Sequence, residues 1–199
     1  MIFKADNWRF FFSWLRAPRK VASAIPSSRA LGRRMASAVE VAADELVVEL
    51  GGGTGAITGE LLASGIPAER LVVFEQNATF ADLLRERFPG ITVLNDDAQV
   101  LADALQAAGH NRPVGSIVSS LPLLTLPIAV RDRILGQCRT VLVPEGSFVQ
   151  FTYGIRSPVP EEVQAKLGFS SEQIGSVWSN LPPATVWCYR PLQALAATA

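Results

Sequence analysis

Leu46-Val47-Val48-Glu49-Leu50-Gly51-Gly52-Gly53-Thr54-Gly55 joins a short strand to a glycine turn. The first five residues form an apolar, β-branched run closed by glycines, the composition of a strand covered on both faces. The glycines permit a tight turn and let the backbone approach a ligand at distances where any Cβ would intrude. Gly51, Gly53 and Ala56 also satisfy the dinucleotide spacing G-x-G-x-x-[G/A], and a glycine turn can equally be structural. The loop alone therefore defines a strand-turn-helix unit and leaves its ligand open.

Outward from this unit the strand pattern recurs at Leu71-Val72-Val73-Phe74, Ile91-Thr92-Val93-Leu94, Ser116-Ile117-Val118 and Ser147-Phe148-Val149-Gln150-Phe151. Helical stretches lie between, at 55–64, 79–88, 99–108 and 128–141. Strand and helix alternate about five times, which calls for an α/β fold with a mainly parallel sheet and helices on both faces. Segments 174–179 and 185–190 read as a closing pair of strands. Ser27 or Ser28, after Pro26, can cap a helix running to about residue 41.

Polar residues recur where the strands end. Glu75-Gln76 follows the second strand, Asp96-Asp97-Ala98 the third, and Ser119-Ser120-Leu121-Pro122-Leu123 closes the fourth. An acid after strand two can accept both ribose hydroxyls of any adenosine cofactor, and one after strand three can accept from an adenine amino group. Singly, Glu75 reads as a solvated turn residue and Asp97 as a helix N-cap. Their repetition at carboxyl ends of successive strands, where open α/β sheets bind ligands, favours the joint functional reading. The single histidine, His110, precedes strand four and is expected in a surface loop at the opposite end.

The chain has 199 residues, 49% hydrophobic and 18% charged, enough apolar side chain to build a core and exclude a disordered or collagenous class. Lys+Arg and Asp+Glu balance at 18 each, but residues 1–34 carry eight cations against Asp6 alone. A basic arm at +7 is thus attached to a body at −7, an asymmetry suited to meeting a polyanion with one end. Cys138 and Cys188 are too few for a disulfide framework and show no metal spacing, so a reducing compartment and no metal are expected. No apolar run approaches the length that spans a bilayer.

Within the arm, Trp8, Phe11, Phe12 and Leu15 share one helical face, widened by Phe10 and Trp14, while Lys4, Arg9 and Arg16 supply cations. Such a stripe can pack on the body. Six aromatics within residues 3–14, flanked by cations, also match a helix lying among lipid headgroups. Residues 1–20 are accordingly read as an amphipathic membrane-binding helix and 21–199 as the catalytic domain.

The order of acidic glycine loop and strand-end polar sites, over about residues 26–155, resembles the class I S-adenosylmethionine-dependent methyltransferases. That resemblance implies a Rossmann-like seven-stranded sheet with an N-terminal helical extension, and S-adenosylmethionine as cofactor with S-adenosylhomocysteine as product. It implies cofactor contacts from Glu49, Gly51, Gly53, Gly55, Glu75, Gln76, Asp97, Ala98, Ser119 and Ser28. Within the class, Phe11-Phe12-Ser13-Trp14-Leu15-Arg16-Ala17-Pro18-Arg19-Lys20, Ile25-Pro26-Ser27-Ser28-Arg29-Ala30-Leu31, Phe88-Pro89-Gly90 and Ser119-Ser120-Leu121-Pro122-Leu123 are similar to small soluble bacterial phospholipid N-methyltransferases. In that family phosphatidylethanolamine is methylated stepwise to phosphatidylcholine by an enzyme docked on anionic membrane. The resemblance implies a monomer, peripheral on the inner face of the cytoplasmic membrane, without a nucleic-acid partner.

Related rRNA adenine dimethylases carry Asn-Leu-Pro-Tyr at the end of strand four, where the ring stacks on a base. Leu123 stands at the ring position here, which argues against a base acceptor, although nucleic-acid N-methylation is the alternative reading. Ser120, Leu121 and Pro122 are candidates to orient the acceptor amine through backbone carbonyls. Tyr153, ending strand five, can offer a hydroxyl or a ring face to a headgroup that becomes quaternary, or can simply anchor the strand. Arg29 and Arg156 are candidates for a lipid phosphate, and Arg29 can equally be a solvated surface charge.

Overall fold

The computed structural model describes residues 28–192. Residues 1–20, with the candidate membrane-binding set Lys4, Trp8, Arg9, Phe11, Phe12, Leu15 and Arg16, lie outside the described residues. The described residues begin with helix α1 (Arg29–Ala36), followed by β1 (Leu46–Leu50), α2 (Ala56–Ala63), β2 (Leu71–Phe74), α3 (Ala78–Arg87) and β3 (Thr92–Leu94). It continues with α4 (Leu101–Ala107), β4 (Val114–Ser119), α5 (Ile128–Val141), β5 (Leu142–Thr152), α6 (Glu161–Leu167), β6 (Phe169–Val177) and β7 (Ala184–Pro191). One seven-stranded sheet results, in the order β3-β2-β1-β4-β5-β7-β6. Strands β1 to β5 pair in parallel, while β7 runs antiparallel between β5 and β6.

Continuous apolar strands are needed because successive side chains enter opposite cores. Val48, Val72, Ile117 and Phe148 meet Leu101 and Leu105 of α4, Leu135 and Cys138 of α5 and Val163 of α6. Their neighbours Val47, Val73, Val118 and Val149 meet Leu31 and Met35 of α1, Ile57 and Leu61 of α2 and Leu84 of α3. An eight-residue helix such as α1 does not persist alone in water. Leu31 and Met35, one turn apart and fully buried, hold it to the sheet, and truncating either to Ala should cost about 2–5 kcal/mol. Cys138 and Cys188 are free thiols in opposite cores.

Three elements differ from the sequence-based expectation. Helix α1 stops at Ala36 rather than near residue 41, because Ser37 Oγ donates to Arg34 O (2.9 Å) and Ala38 and Val39 turn back onto Met35 and Ala36. Strand β6 starts at Phe169, five residues early; as an edge strand it exposes Ser170, Ser171, Glu172 and Gln173, which mask the strand pattern. Strand β5 starts at Leu142 and passes through Pro144-Glu145-Gly146, with a register shift in its pairing to β4 before Ser147 meets Ser116. Helix α6 carried no sequence expectation.

Candidate active site at the carboxyl edge of the sheet

The glycine turn leaves β1 and folds back over β2, where Gly51 N–H donates to Phe74 O at 2.8 Å. Gly55 caps α2 with φ +83°, and a Cβ there would lie 2.3 Å from the Phe88 ring. Gly53 (φ +52°) differs: a Cβ would meet nothing within 4 Å, so its backbone borders open space. Close packing thus requires one glycine and conformation the other.

Glu75, just beyond β2, is fixed at the rim of this turn. Its Oε2 accepts from Gly53 N–H and its Oε1 from Asn77 N–H, both at 2.8 Å. Asp97 caps the short turn Ala98–Val100 through Gln99 N–H (2.8 Å), while its other oxygen accepts from Gln99 Nε2 (3.0 Å) and Gln76 Nε2 (3.2 Å). Gln76 and Asp97 therefore bridge the ends of β2 and β3, with Ala98 buried behind them. The capping role and a place beside the glycine turn coexist in Asp97.

Glu49 is fully buried beneath the turn. Its Oε2 accepts from Thr58 Oγ1 at 2.6 Å, and its Oε1 has no partner among the described residues. Burial pushes its pKa up to about 7; hydrogen bonding from Thr58 opposes this, and the charge of Glu75 adds to it.

Beyond β4 the chain is fastened to the same turn. Ser120 N–H donates to Leu50 O (3.0 Å) and its hydroxyl donates to Gly51 O. Buried Ser119 accepts from Leu121 N–H at 3.3 Å. Leu121 O accepts from Gln150 Nε2 (3.1 Å), and Pro122 O from Thr125 N–H (2.9 Å) and Leu126 N–H (3.3 Å). With Leu123 N–H (2.9 Å) also on Leu121 O and Thr125 Oγ1 (3.1 Å) also on Pro122 O, the lone pairs of both carbonyls are engaged in shaping the loop.

Tyr153 follows β5 with its ring edge-on to Phe151, centroids 5.2 Å apart. Burial pushes its hydroxyl up to about 12, opposed by a hydrogen bond with Asn180, so the phenol is neutral at physiological pH. Asn180 also accepts from Ser28 N–H (3.0 Å) and donates to Pro182 O (2.8 Å). Ser28 in turn caps α1, accepting from Leu31 N–H. Ser28 and Tyr153 are brought to one asparagine; Arg29 and Arg156 are exposed at the same sheet edge.

Over 190 residues the chain is 33% identical to an ornithine lipid N-methyltransferase of Singulisphaera acidiphila, covering 93% of this chain and 96% of that protein. The chain belongs to that protein's methyltransferase family. No family model matches it. Among solved structures, the N-methyltransferase NodS of Bradyrhizobium japonicum in complex with S-adenosylhomocysteine superposes with a TM-score of 0.59, 16% identity, and coverage of 94% and 93% of the two chains. The glycopeptide N-methyltransferase MtfA, also with S-adenosylhomocysteine, gives 0.64, 15%, and coverage of 87% and 90%. The fold is shared with these solved methyltransferases, two of which hold S-adenosylhomocysteine.

In this methyltransferase four site residues escaped the sequence reading. Thr58 supports Glu49, and Asn95 Nδ2 donates to the carbonyls of Glu75 (2.8 Å) and Gln76 (3.0 Å). Gln150 holds Leu121, and Asn180 joins Ser28 to Tyr153. Only Gln150, a polar residue inside an apolar strand, left a signal in the sequence. His110 precedes β4 and so sits at the opposite edge, its N–H donating to Leu105 O. Among the described residues no three His, Cys, Asp or Glu side chains converge as metal ligands, and no helix is long and apolar enough to cross a membrane.

Proposed function

We propose that the enzyme transfers methyl groups from S-adenosylmethionine to the primary amine of a membrane lipid headgroup. The observation that carries this reading is identity across nearly the whole chain to an enzyme that N-methylates a lipid. Phosphatidylethanolamine and its methylated intermediates, giving phosphatidylcholine, are the acceptors implied by the segments around Phe11–Lys20 and Ser119–Leu123. Ornithine lipid is the second reading, favoured by the relative's own substrate. Both lipids offer a primary amine on a flexible arm near an acidic group.

The described residues fit the cofactor. The turn of Gly51, Gly53 and Gly55 gives backbone access, Glu75 offers a carboxylate to ribose hydroxyls, and Gln76, Asp97 and Ala98 border the place of the base. The unpartnered Oε1 of Glu49 supplies negative charge beneath the turn, where the cofactor's cationic methionine end needs it. Ser28 and Ser119 close this end from α1 and β4. Bound there, the sulfonium supplies an electrophilic methyl, so the protein needs no strong nucleophile of its own.

The chain's own residues then orient and desolvate the amine. A neutral Tyr153 does not take the proton near pH 7, but its hydroxyl can accept from an ammonium or its ring can face the growing cation. The loop Ser120-Leu121-Pro122, pinned to Gly51, places the acceptor wall at a constant distance from the cofactor turn. As the nitrogen–carbon bond forms, the carbon–sulfur bond breaks and the amine proton leaves to solvent. Arg29 and Arg156 can meet a headgroup phosphate or carboxylate. Residues 1–20 dock the enzyme on anionic membrane, peripheral to the cytoplasmic face, as a monomer without nucleic acid.

Incubation with labelled S-adenosylmethionine and vesicles containing either phosphatidylethanolamine or ornithine lipid tests the reading. Label extracted with phosphatidylethanolamine supports the first acceptor, and label with ornithine lipid the second. Label on RNA and on neither lipid overturns both.

A further inference from the structure

Among the described residues seven large hydrophobic side chains are exposed, and five of them share one edge of the sheet. Leu124 and Ile128 follow β4, Ile155 follows β5, and Trp178 and Leu181 lie in the connection from β6 to β7; these five are 55–78% exposed. Because β6 runs in the direction of β5, all three connections emerge at the same carboxyl edge of the sheet. Residues 120–127, 153–160 and 178–183 together contain one charged side chain, Arg156, and no carboxylate. The opposite edge is different in kind: its connections carry Glu40, Asp44, Glu45, Glu69, Arg70 and Arg112. Connections facing water are ordinarily polar, and a continuous exposed apolar rim marks a surface with another neighbour.

We infer that these three loops form a second membrane-contacting surface, in which Trp178, Leu181, Ile155, Leu124 and Ile128 enter the headgroup and upper acyl region of an anionic bilayer. The inference rests on the lipid-amine reading above and deepens it. A bilayer is the occupant favoured by charge and by continuity. Residues 1–27 hold five cations against Asp6, and they join the described chain at Ser28, which Asn180 ties to the very loop that bears Trp178 and Leu181. The three loops add Arg156 and no carboxylate of their own, and the first carboxylates beside them, Glu161 and Glu162, open helix α6. Tryptophan beside aliphatic residues is the composition that partitions into the interface. The same loops carry Ser120, Leu121, Pro122, Tyr153 and Asn180, so a lipid can present its amine to Tyr153 while its acyl chains stay in the bilayer.

The test uses the full-length chain and vesicles of equimolar phosphatidylglycerol and phosphatidylethanolamine. I155S/W178S/L181S should lower vesicle partitioning at least five-fold in sedimentation, while affinity for S-adenosylhomocysteine stays within two-fold of wild type. L83S/L192S, which removes exposed apolar residues elsewhere, should partition like wild type. Brominated acyl chains should quench wild-type fluorescence more than that of W178F. Unchanged partitioning of the triple variant, or equal quenching of W178F, overturns the inference. So does a lowered urea midpoint of the triple variant without vesicles, which would mean that residues 1–27 cover the rim. If the triple variant loses partitioning yet wild type labels no lipid, the proposed function falls and this surface stands. If lipid is labelled and the triple variant partitions and labels like wild type, the surface falls and the function stands.

Discussion

The backbone N–H of Ser28 donates to Oδ1 of Asn180 at 3.0 Å, joining the start of the first described helix to the last loop of the sheet across 152 residues of sequence. Asn180 is buried and also reaches Tyr153 and Pro182 O, so one amide ties the start of this helix to the end of β5. Asn180→Ala leaves these groups without their partner, at a cost of about 2–3 kcal/mol. Thermal melting should show the loss, and methylation below the melting range should show a lower kcat at unchanged cofactor affinity. An unaltered melting temperature would remove Asn180 from this role.

Glu75→Ala should weaken S-adenosylhomocysteine binding by about tenfold or more, the scale of a charged hydrogen bond lost. Vesicle binding should be intact. Calorimetry with and without vesicles checks both, and equal loss of both would contradict the assignment of Glu75 to the cofactor.

Glu49 makes stability and cofactor affinity depend on pH in opposite senses. The folded state keeps the proton up to about pH 7, whereas the unfolded chain releases it near 4.5, so the folded state binds more protons in between. Its contribution to stability is therefore present at acid pH and is lost as pH rises through that window, on the order of 3 kcal/mol in all. Urea titrations at pH 5 and 8 should show wild type losing more stability than Glu49→Gln. The sulfonium and ammonium of S-adenosylmethionine make it a cation, which favours the ionised carboxylate, so wild-type affinity for S-adenosylmethionine should rise across the same window and flatten in Glu49→Gln.

Gly55→Ala should destabilise the chain by about 1–3 kcal/mol, since it joins a left-handed backbone to a Cβ 2.3 Å from the Phe88 ring. Adding Phe88→Leu should recover part of the loss, measured by urea midpoint. No recovery would assign the whole effect to the backbone.

Replacing Trp8, Phe11 and Phe12 with Ser should release the protein from anionic vesicles while cofactor affinity stays near wild type. Unchanged partitioning would make the N-terminal stripe a packing surface.

The strands between Leu46 and Phe151 were legible because each is buried on both faces and must be apolar throughout. The acids and glycines stood out in the sequence because they are residue types that a core rejects. Strand β6 was partly hidden, since an edge strand exposes polar side chains, and α6 was missed because seven residues carry too little periodicity.

Local chemistry determined the strand-turn-helix units, their order and the carboxylates beside the glycine turn, since these follow from side-chain period, turn geometry and charge along a few residues. Only tertiary structure decided that Thr58 supports Glu49, that Ser120 is tied to Gly51, and that Asn180 joins Ser28 to Tyr153. It likewise gathered Leu124, Ile155 and Trp178 at one edge. Such partnerships link positions far apart in the chain, and no local preference encodes them; they exist because parallel strands bring every second loop to the same side.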